Sequence, residues 1–397
     1  MKTELVIVGG GLTAARAIRS YREAGGAGGI SLVSHEETLP YHRPPLSKRF
    51  LRGEATEIPH VEDVAFYPDH DVSLELGVGA VAVDPGSSMI TLDDGRRLRY
   101  EQLLLATGAR PHRLRVPGGD LEGVFALRTV DDSAAIRDAA GSARRAVVVG
   151  GGFIGMEAAA SLRLLGLDVT LIHLGAGLFD QLRSTALSDE LAALYRAHDV
   201  ELLLEHQVAG FGGERRLEFV ETTNGLRIPA DIAVVGVGVA PNVDFLANSG
   251  LAVENGVLVD DRFATNAPGV FAAGDVANVF DPLYGRRRRI EHWSNASYQG
   301  AEAGKVLAGE DGGFDHVSSF FSEVFGTTIR VFGDVSSFDR LSAEGSLTDA
   351  FVAAYGSAGR LVGALTVGKS KAFETLATDL IAGRAPIDAL EPELAVG

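Results

Sequence analysis

The sequence predicts an α/β protein built from two Rossmann-like units, each a parallel sheet opened by a glycine-rich turn, with a smaller α+β domain at the C-terminal end. Two stretches carry most of that expectation. Gly9-Gly10-Gly11-Leu12-Thr13-Ala14 and Gly150-Gly151-Gly152-Phe153-Ile154-Gly155 each follow a short β-branched run and precede an alanine-rich helical stretch. The third observation is a change of texture after about Ser318, where aromatic residues begin to alternate (Phe320, Phe321, Phe325, Phe332). In a turn of this kind the first glycine makes the bend, the second lets backbone approach a pyrophosphate, and the third permits close packing of helix on strand. The pyrophosphate then rests on the helix N-terminus. One such turn also arises for packing alone, but two in the same context predict two bound dinucleotides.

Taken in order, the chain reads as a strand over 4–8, the first turn, a helix over about 12–24 and a second strand, Ile30-Ser31-Leu32-Val33. That is a βαβ opening. Glu36 stands just past the second strand, where an acidic side chain takes both hydroxyls of an adenosine ribose; the alternative is an exposed loop glutamate. Residues 73–105 alternate like an antiparallel ribbon with Asp93-Asp94-Gly95 as its hairpin, and Leu103-Leu104-Leu105-Ala106 reads as a buried strand. The pattern then repeats: a strand over 146–149, the second turn, a helix to about Leu165, the strand Val169-Thr170-Leu171-Ile172, a second ribbon over 200–228 and the strand Ile232-Ala233-Val234-Val235. Gly269 to Asp275 is another strand ending in a tight turn with a carboxylate at its tip. The segment Leu361 to Val367 and a helix near 371–382 complete the α+β end.

Composition bounds the function. With 397 residues, 46% apolar and 22% charged, the chain is long enough for two or three domains. No apolar run approaches the roughly 20 residues of a membrane span, and the N-terminal residues lead into a strand without a secretion signal, so a cytoplasmic protein is expected. There is no cysteine, which excludes disulfides, a cysteine-held iron–sulfur cluster and dithiol exchange chemistry. Lys and Arg number 36 against 53 Asp and Glu, a formal net charge of −17, which argues against a nucleic-acid surface. The dense basic run Arg286-Arg287-Arg288-Arg289 reads as solvated loop charge, or as a patch that steers an acidic partner. No metal site is expected.

Several segments bear on identity. The most specific is Pro40-Tyr41-His42-Arg43-Pro44-Pro45-Leu46-Ser47-Lys48; others are Ala106-Thr107-Gly108-Ala109-Arg110-Pro111, Leu127-Arg128-Thr129, Gly150 to Glu157, Gly274-Asp275-Val276-Ala277 and Glu291-His292-Trp293-Ser294-Asn295-Ala296. In their order and spacing the chain resembles the NAD(P)H-dependent, FAD-containing ferredoxin reductases of oxygenase and cytochrome P450 systems, which also resemble rubredoxin reductases and apoptosis-inducing factor. The resemblance implies a glutathione-reductase-like layout without its cysteines: an FAD domain (1–113 and 242–318), an inserted NAD(P) domain (114–241) and a C-terminal domain (319–397). It implies FAD held by Gly9, Gly11, Ala14, Glu36, Arg43, Lys48, Val81, Ala106, Thr107, Gly108, Arg128, Gly274, Asp275 and Val276. It implies a nicotinamide nucleotide on Gly150, Gly152, Ile154, Gly155, His173 and Gly238.

By the same resemblance Lys48, Glu157, Trp293 and Phe321 carry the redox chemistry. A lysine near reduced flavin stabilises its anion. Glu157 is otherwise a partner of the helix dipole, and Trp293, the single tryptophan, is otherwise a core aromatic. Phe321 stands where the family carries a tryptophan, so the indole N–H donor is lost. His173 stands where many relatives carry an acidic residue for the NADH ribose, and on that ground weak discrimination between NADH and NADPH is expected. The expected reaction takes hydride from NAD(P)H onto FAD and passes single electrons to a [2Fe–2S] ferredoxin, in a monomer or homodimer. The alternatives are an NAD(P)H oxidase or a quinone or other small-molecule reductase on the same scaffold, or a redox sensor like apoptosis-inducing factor.

Overall fold

The computed structural model describes residues 5–390; the first residue of the expected opening strand and the last residues of the expected C-terminal domain lie outside that range. The chain falls into two compact units. One takes in the chain up to His42, Pro59–Arg110 and Ala240–His316; the other takes in Arg43–Ile58, Pro111–Val239 and the chain from Val317 onward.

The first unit is centred on a five-stranded parallel sheet. Its middle strand, β1 (Leu5–Val8), is flanked by β2 (Ile30–Ser34) and by Gln102–Leu105, with Val72–Leu76 and Val270–Ala272 at the two edges. β1 and β2 are buried throughout, which is why they read as largely apolar runs; the core around them takes in α1 together with Val83, Ile90 and Leu92 of an antiparallel ribbon. Helix α1 (Leu12–Glu23) buries Leu12, Ala14, Ala15, Ala17, Ile18 and Tyr21. Its close neighbour is the helix Trp293–Leu307, where a Cβ added to Gly300 or Gly304 would collide with the carbonyl oxygens of Thr13 and Ala17. Ala14 occupies the place of the turn's third glycine, and the facing helix supplies the two glycines that allow the close approach.

The second unit repeats the design. Its sheet runs Val200–Leu203, β4 (Asp168–Ile172), β3 (Arg145–Val149), Ile232–Val235 and Val124–Ala126, all parallel, with α2 (Phe153–Leu164) following β3. The C-terminal segment adds a five-stranded antiparallel sheet in the order β5 (Ser319–Val324), Thr327–Gly333, Arg360–Val367, Phe351–Ser357, Arg340–Gly345, with a helix at Lys371–Ala382.

Three local readings change. Val72–Leu76 is not ribbon; it pairs parallel with β2 as an edge strand, and its apolar–polar alternation in sequence mimics a ribbon although burial does not alternate along it. Val200–Leu203 likewise pairs parallel with β4, and the second ribbon begins only at Val208. Arg286–Arg289 is a strand, antiparallel to Ala277–Asp281, and not a loop. Arg288 forms an ion pair of 2.7 Å with buried Asp281, Arg287 donates to the carbonyls of Val259 and Asn278, and Arg289 pairs with Glu291. At least these three of the four arginines are engaged within the unit.

Candidate functional site

In the first unit the strand-to-helix turn forms a cradle. Gly9 has φ +123°, and a Cβ there would collide with the carbonyl of Ala106, so the backbones of β1 and residue 106 touch as only glycine allows. Gly9 N–H donates to Val33 O at 2.8 Å and fixes the end of β2 beside the turn. Gly11 caps α1 without a side-chain bond, and a Cβ added to it would meet nothing within 4 Å. The first amides of α1 therefore have no side-chain cap and open space ahead of Gly11, the arrangement that accepts a phosphate. Glu36 is half-buried and accepts the Tyr41 hydroxyl on Oε2 at 2.6 Å, which aims its carboxylate.

Most of the rest of the expected set in this unit lies in turns that follow strands, whereas Val81 lies inside the strand Ala80–Asp84 and Ala14 on α1. Ala106 is buried; Gly108 has φ +64°. Asn242, which the sequence did not single out, holds this loop: its Nδ2 donates to Thr107 O at 2.9 Å and its carbonyl accepts Thr107 Oγ1 at 2.8 Å. Gly274 (φ +78°) donates its N–H to Gln299 Oε1 at 2.7 Å, placing half-buried Asp275 and buried Val276 beyond the strand Val270–Ala272. Val81 sits 51% exposed at an irregularity in the pairing of Ala80–Asp84 with Met89–Leu92. Trp293 is 38% exposed rather than core, and its Nε1–H donates to His42 Nδ1 at 3.2 Å. Burial pushes the neighbouring His292 down to about 4, with Asp275 opposing and Arg288 adding to the shift.

In the second unit the equivalent turn has the same form. Gly150 (φ +115°) would collide through a Cβ with Gly236 O, and Gly155 with Gly150 O, so the third glycine of this copy is needed for packing. Gly152 caps α2 without a side-chain bond, and Ile154 is 41% exposed in the first turn of the helix. Gly238 has φ +95° and accepts His112 N–H at 2.9 Å. His173, just past β4, accepts Gly151 N–H on Nδ1 at 3.1 Å and faces Asp180 Oδ2 with Nε2, also at 3.1 Å.

A dense constellation in this unit surrounds Glu157. It lies on α2, 5% exposed, and its Oε2 takes both Lys48 Nζ and Ser47 Oγ at 2.5 Å while Oε1 takes Ser322 Oγ at 2.8 Å. Ser47 and Lys48 are neighbours on one segment and Ser322 lies far along the chain, and only the lysine among them belongs to the expected site set. A third serine, Ser161 one turn further along α2, donates to Ser47 O at 2.6 Å and fixes the lysine-bearing segment. Lys48 Nζ also lies 6.0 Å from the ring centre of Phe321, which is 40% exposed. Arg43 Nη1 donates to Arg128 O at 2.7 Å, and Arg128 N–H to Asp132 Oδ2 at 3.0 Å. Glu157 is thus a charge partner of Lys48, not a dipole partner at the helix start.

Among the described residues no group of His, Asp or Glu could hold a metal ion, and no helix is long and apolar enough to cross a membrane. A family model described as pyridine nucleotide-disulphide oxidoreductase matches residues 3–300. The ferredoxin reductase component of chlorobenzene dioxygenase from Cupriavidus sp. (strain PS12) is 33% identical over 390 residues, covering 98% of this chain and 94% of that protein. Among solved structures, the covalent putidaredoxin reductase–putidaredoxin complex superposes with a TM-score of 0.93 at 29% identity, covering 100% of this chain and 99% of the other. The ferredoxin reductase for the CYP199A2 system from Rhodopseudomonas palustris gives a TM-score of 0.91 at 29% identity, over 99% and 100% of the two chains. With three-quarters of its length matched by the family model and both glycine cradles formed, the chain belongs to the pyridine nucleotide-disulphide oxidoreductase family.

Proposed function

We propose that the protein is an FAD-dependent reductase that draws electrons from NADH or NADPH and delivers them singly to a [2Fe–2S] ferredoxin serving an oxygenase or a cytochrome P450. The observation that carries this reading is the duplicated cradle, two uncapped helix N-termini each behind a left-handed glycine. The open space at Gly11 fits a pyrophosphate and Glu36 fits a ribose, so we assign FAD to the first turn. We assign the nicotinamide nucleotide to the second. In domain terms this is an FAD domain over 1–113 and 242–318, an NAD(P) domain over 114–241 and a C-terminal domain from 319. Bound FAD supplies the conversion of a two-electron donor's reducing power into single electrons.

The chain's own residues bind and orient. The first-turn amides take the pyrophosphate, Tyr41 holds Glu36 for the ribose, and Lys48 keeps a fixed positive charge whose counter-ion, Glu157, is tethered by Ser47 and Ser322. We assign the redox roles to Lys48, Glu157, Trp293 and Phe321. The absence of cysteine supports outward electron transfer over a dithiol relay. The reading also places the protein in the cytoplasm, beside its nucleotide and ferredoxin.

Anaerobic stopped-flow tests it: the purified yellow protein is mixed with NADH or NADPH, and then with a [2Fe–2S] ferredoxin. Rapid bleaching followed by rapid return of colour is expected, the second step slowing as salt is raised and the first almost unchanged. Fast return of colour with quinone or oxygen but not with ferredoxin would replace it with a small-molecule reductase. A bleached protein that passes electrons to no acceptor would replace it with a redox sensor.

A further inference from the structure

We propose that Asp180 reads the adenosine ribose of the nicotinamide nucleotide and makes the protein select NADH over NADPH; this rests on the assignment of the second turn to that nucleotide. The two turns share one frame. Gly9 N–H donates to Val33 O and Gly150 N–H to Ile172 O, both at 2.8 Å, and Val8 lies opposite Val33 as Val149 lies opposite Ile172. Matching the units through these pairs puts Ser34 on His173 and Glu36 on Gly175. The glycines agree, since a Cβ added to Gly10 would strike the Ser34 side chain and one added to Gly151 would strike His173.

The position that carries the ribose carboxylate in the first unit is therefore glycine in the second, and His173 corresponds to a serine. The space beside that glycine is filled. A Cβ at Gly175 would collide with Asp180 Oδ2 and lie 2.8 Å from His173 Nε2. A carboxylate thus stands where the side chain of a residue at 175 would begin, delivered from the short helical turn Asp180–Leu182.

That carboxylate is aimed. Gly151 N–H can only donate, so the Nδ1 lone pair of His173 is committed to it, and Nε2 carries the ring hydrogen and donates to Asp180 Oδ2. His173 does for Asp180 what the Tyr41 hydroxyl does for Glu36. Among the described residues no donor is directed at Asp180 Oδ1, and the side chain is 49% exposed. A carboxylate so placed accepts from ribose hydroxyls and repels a 2′-phosphate. His173 in this tautomer offers no positive charge to that phosphate, and Arg183 lies against the Phe338 ring, 5.9 Å from its centre. The weak discrimination expected from His173 as an isolated residue gives way to a preference for NADH.

Calorimetry of the flavin-loaded protein with ADP-ribose and with 2′-phospho-ADP-ribose tests the proposal on wild type and Asp180→Asn, an isosteric change at the exposed start of a short helical turn. Wild type is expected to bind ADP-ribose at least about tenfold more tightly than the phosphorylated form. The variant should lose about tenfold in ADP-ribose affinity, as a charge-assisted hydrogen bond warrants, and the two ligands should then bind within about threefold of each other. Equal affinities in wild type, tighter binding of the phosphorylated ligand, or an unchanged preference in Asp180→Asn would overturn it. The outcome separates from that of the parent reading. A preference abolished by the substitution in a protein whose flavin no nucleotide reduces keeps Asp180 and removes the reductase; fast reduction with a preference indifferent to Asp180 does the reverse.

Discussion

Replacing Lys48 with methionine keeps the length and apolar stem of the side chain and removes its charge. In the native protein Nζ stands 2.5 Å from Glu157 Oε2, with the two side chains only 11% and 5% exposed. Water cannot take the place of the lost cation, so Glu157 is left as a buried anion, for which the usual loss is about 3–5 kcal/mol. The hydroxyls of Ser47 and Ser322 still donate to the carboxylate and hold the loss at the lower end, about 3 kcal/mol. For domains of about 150–250 residues this corresponds to a fall in Tm of about 6–12 °C. Adding Glu157→Gln removes the stranded charge, and the double variant should recover at least half of that fall. Thermal melts followed by circular dichroism at one fixed scan rate, with flavin content measured in parallel, give the comparison. A fall below about 2 °C in Lys48→Met, or a double variant no better than the sum of the two singles, would show that the pair is solvated and that the reasoning is wrong.

Gly9→Ala and Gly11→Ala should separate folding from cofactor binding: the first collides with the Ala106 carbonyl at positive φ and lowers both Tm and bound flavin, whereas the second meets open space and lowers flavin alone. Absorbance of the bound flavin and melts of the apoprotein read the two effects, and equal Tm losses would count against it. Arg288→Leu should destabilise by about 3–5 kcal/mol, because Asp281 is left buried without its cation, and a change under about 1 kcal/mol in chemical denaturation would contradict the pairing. His292 is held neutral by burial down to about 4. An unfolded histidine titrates near 6.5, so the unfolded chain gains a proton that the folded one refuses, and stability present above about pH 6.5 drains away as pH falls toward about 4. The loss is of order 3 kcal/mol, and wild type and His292→Gln should diverge in Tm between about pH 7.5 and 5; parallel curves would refute it.

What the sequence made legible is what depends on neighbours in the chain. The glycine turns, the buried strands beside them and the acidic residue just past the second strand are local patterns that neighbouring residues alone make visible. The constellation around Glu157 was half legible: Lys48 belongs to a recognisable segment, but Ser322 meets Glu157 only because β5 folds back across a long separation. Edge strands misled, since Val72–Leu76 alternates apolar and polar residues in sequence as a ribbon would. The arginine run misled too, because four like charges in a row give no sign that Asp281, Glu291 and two backbone carbonyls are arranged to receive them. His173 was read as an isolated substitution, whereas the carboxylate beside it comes from seven residues further on.

The division of the chain into two units bears on how such a protein can be made and remade. Between Met1 and Gly397 the chain passes from one unit to the other five times, at 42/43, 58/59, 110/111, 239/240 and 316/317. During synthesis the sheet around β1 cannot close until Val270–Ala272 emerges to pair with Gln102–Leu105, so most of the chain must be translated before the first cradle is complete. The same interleaving governs recombination with relatives. A fragment of 111–239 cut out by sequence would strand Glu157 without Ser47 or Lys48 and Ser133 without the Leu46 carbonyl it bonds at 2.7 Å. Exchange of nucleotide specificity between such proteins therefore has to carry 43–58 along with 111–239, or be confined to the few residues around 173–180 proposed to read the ribose.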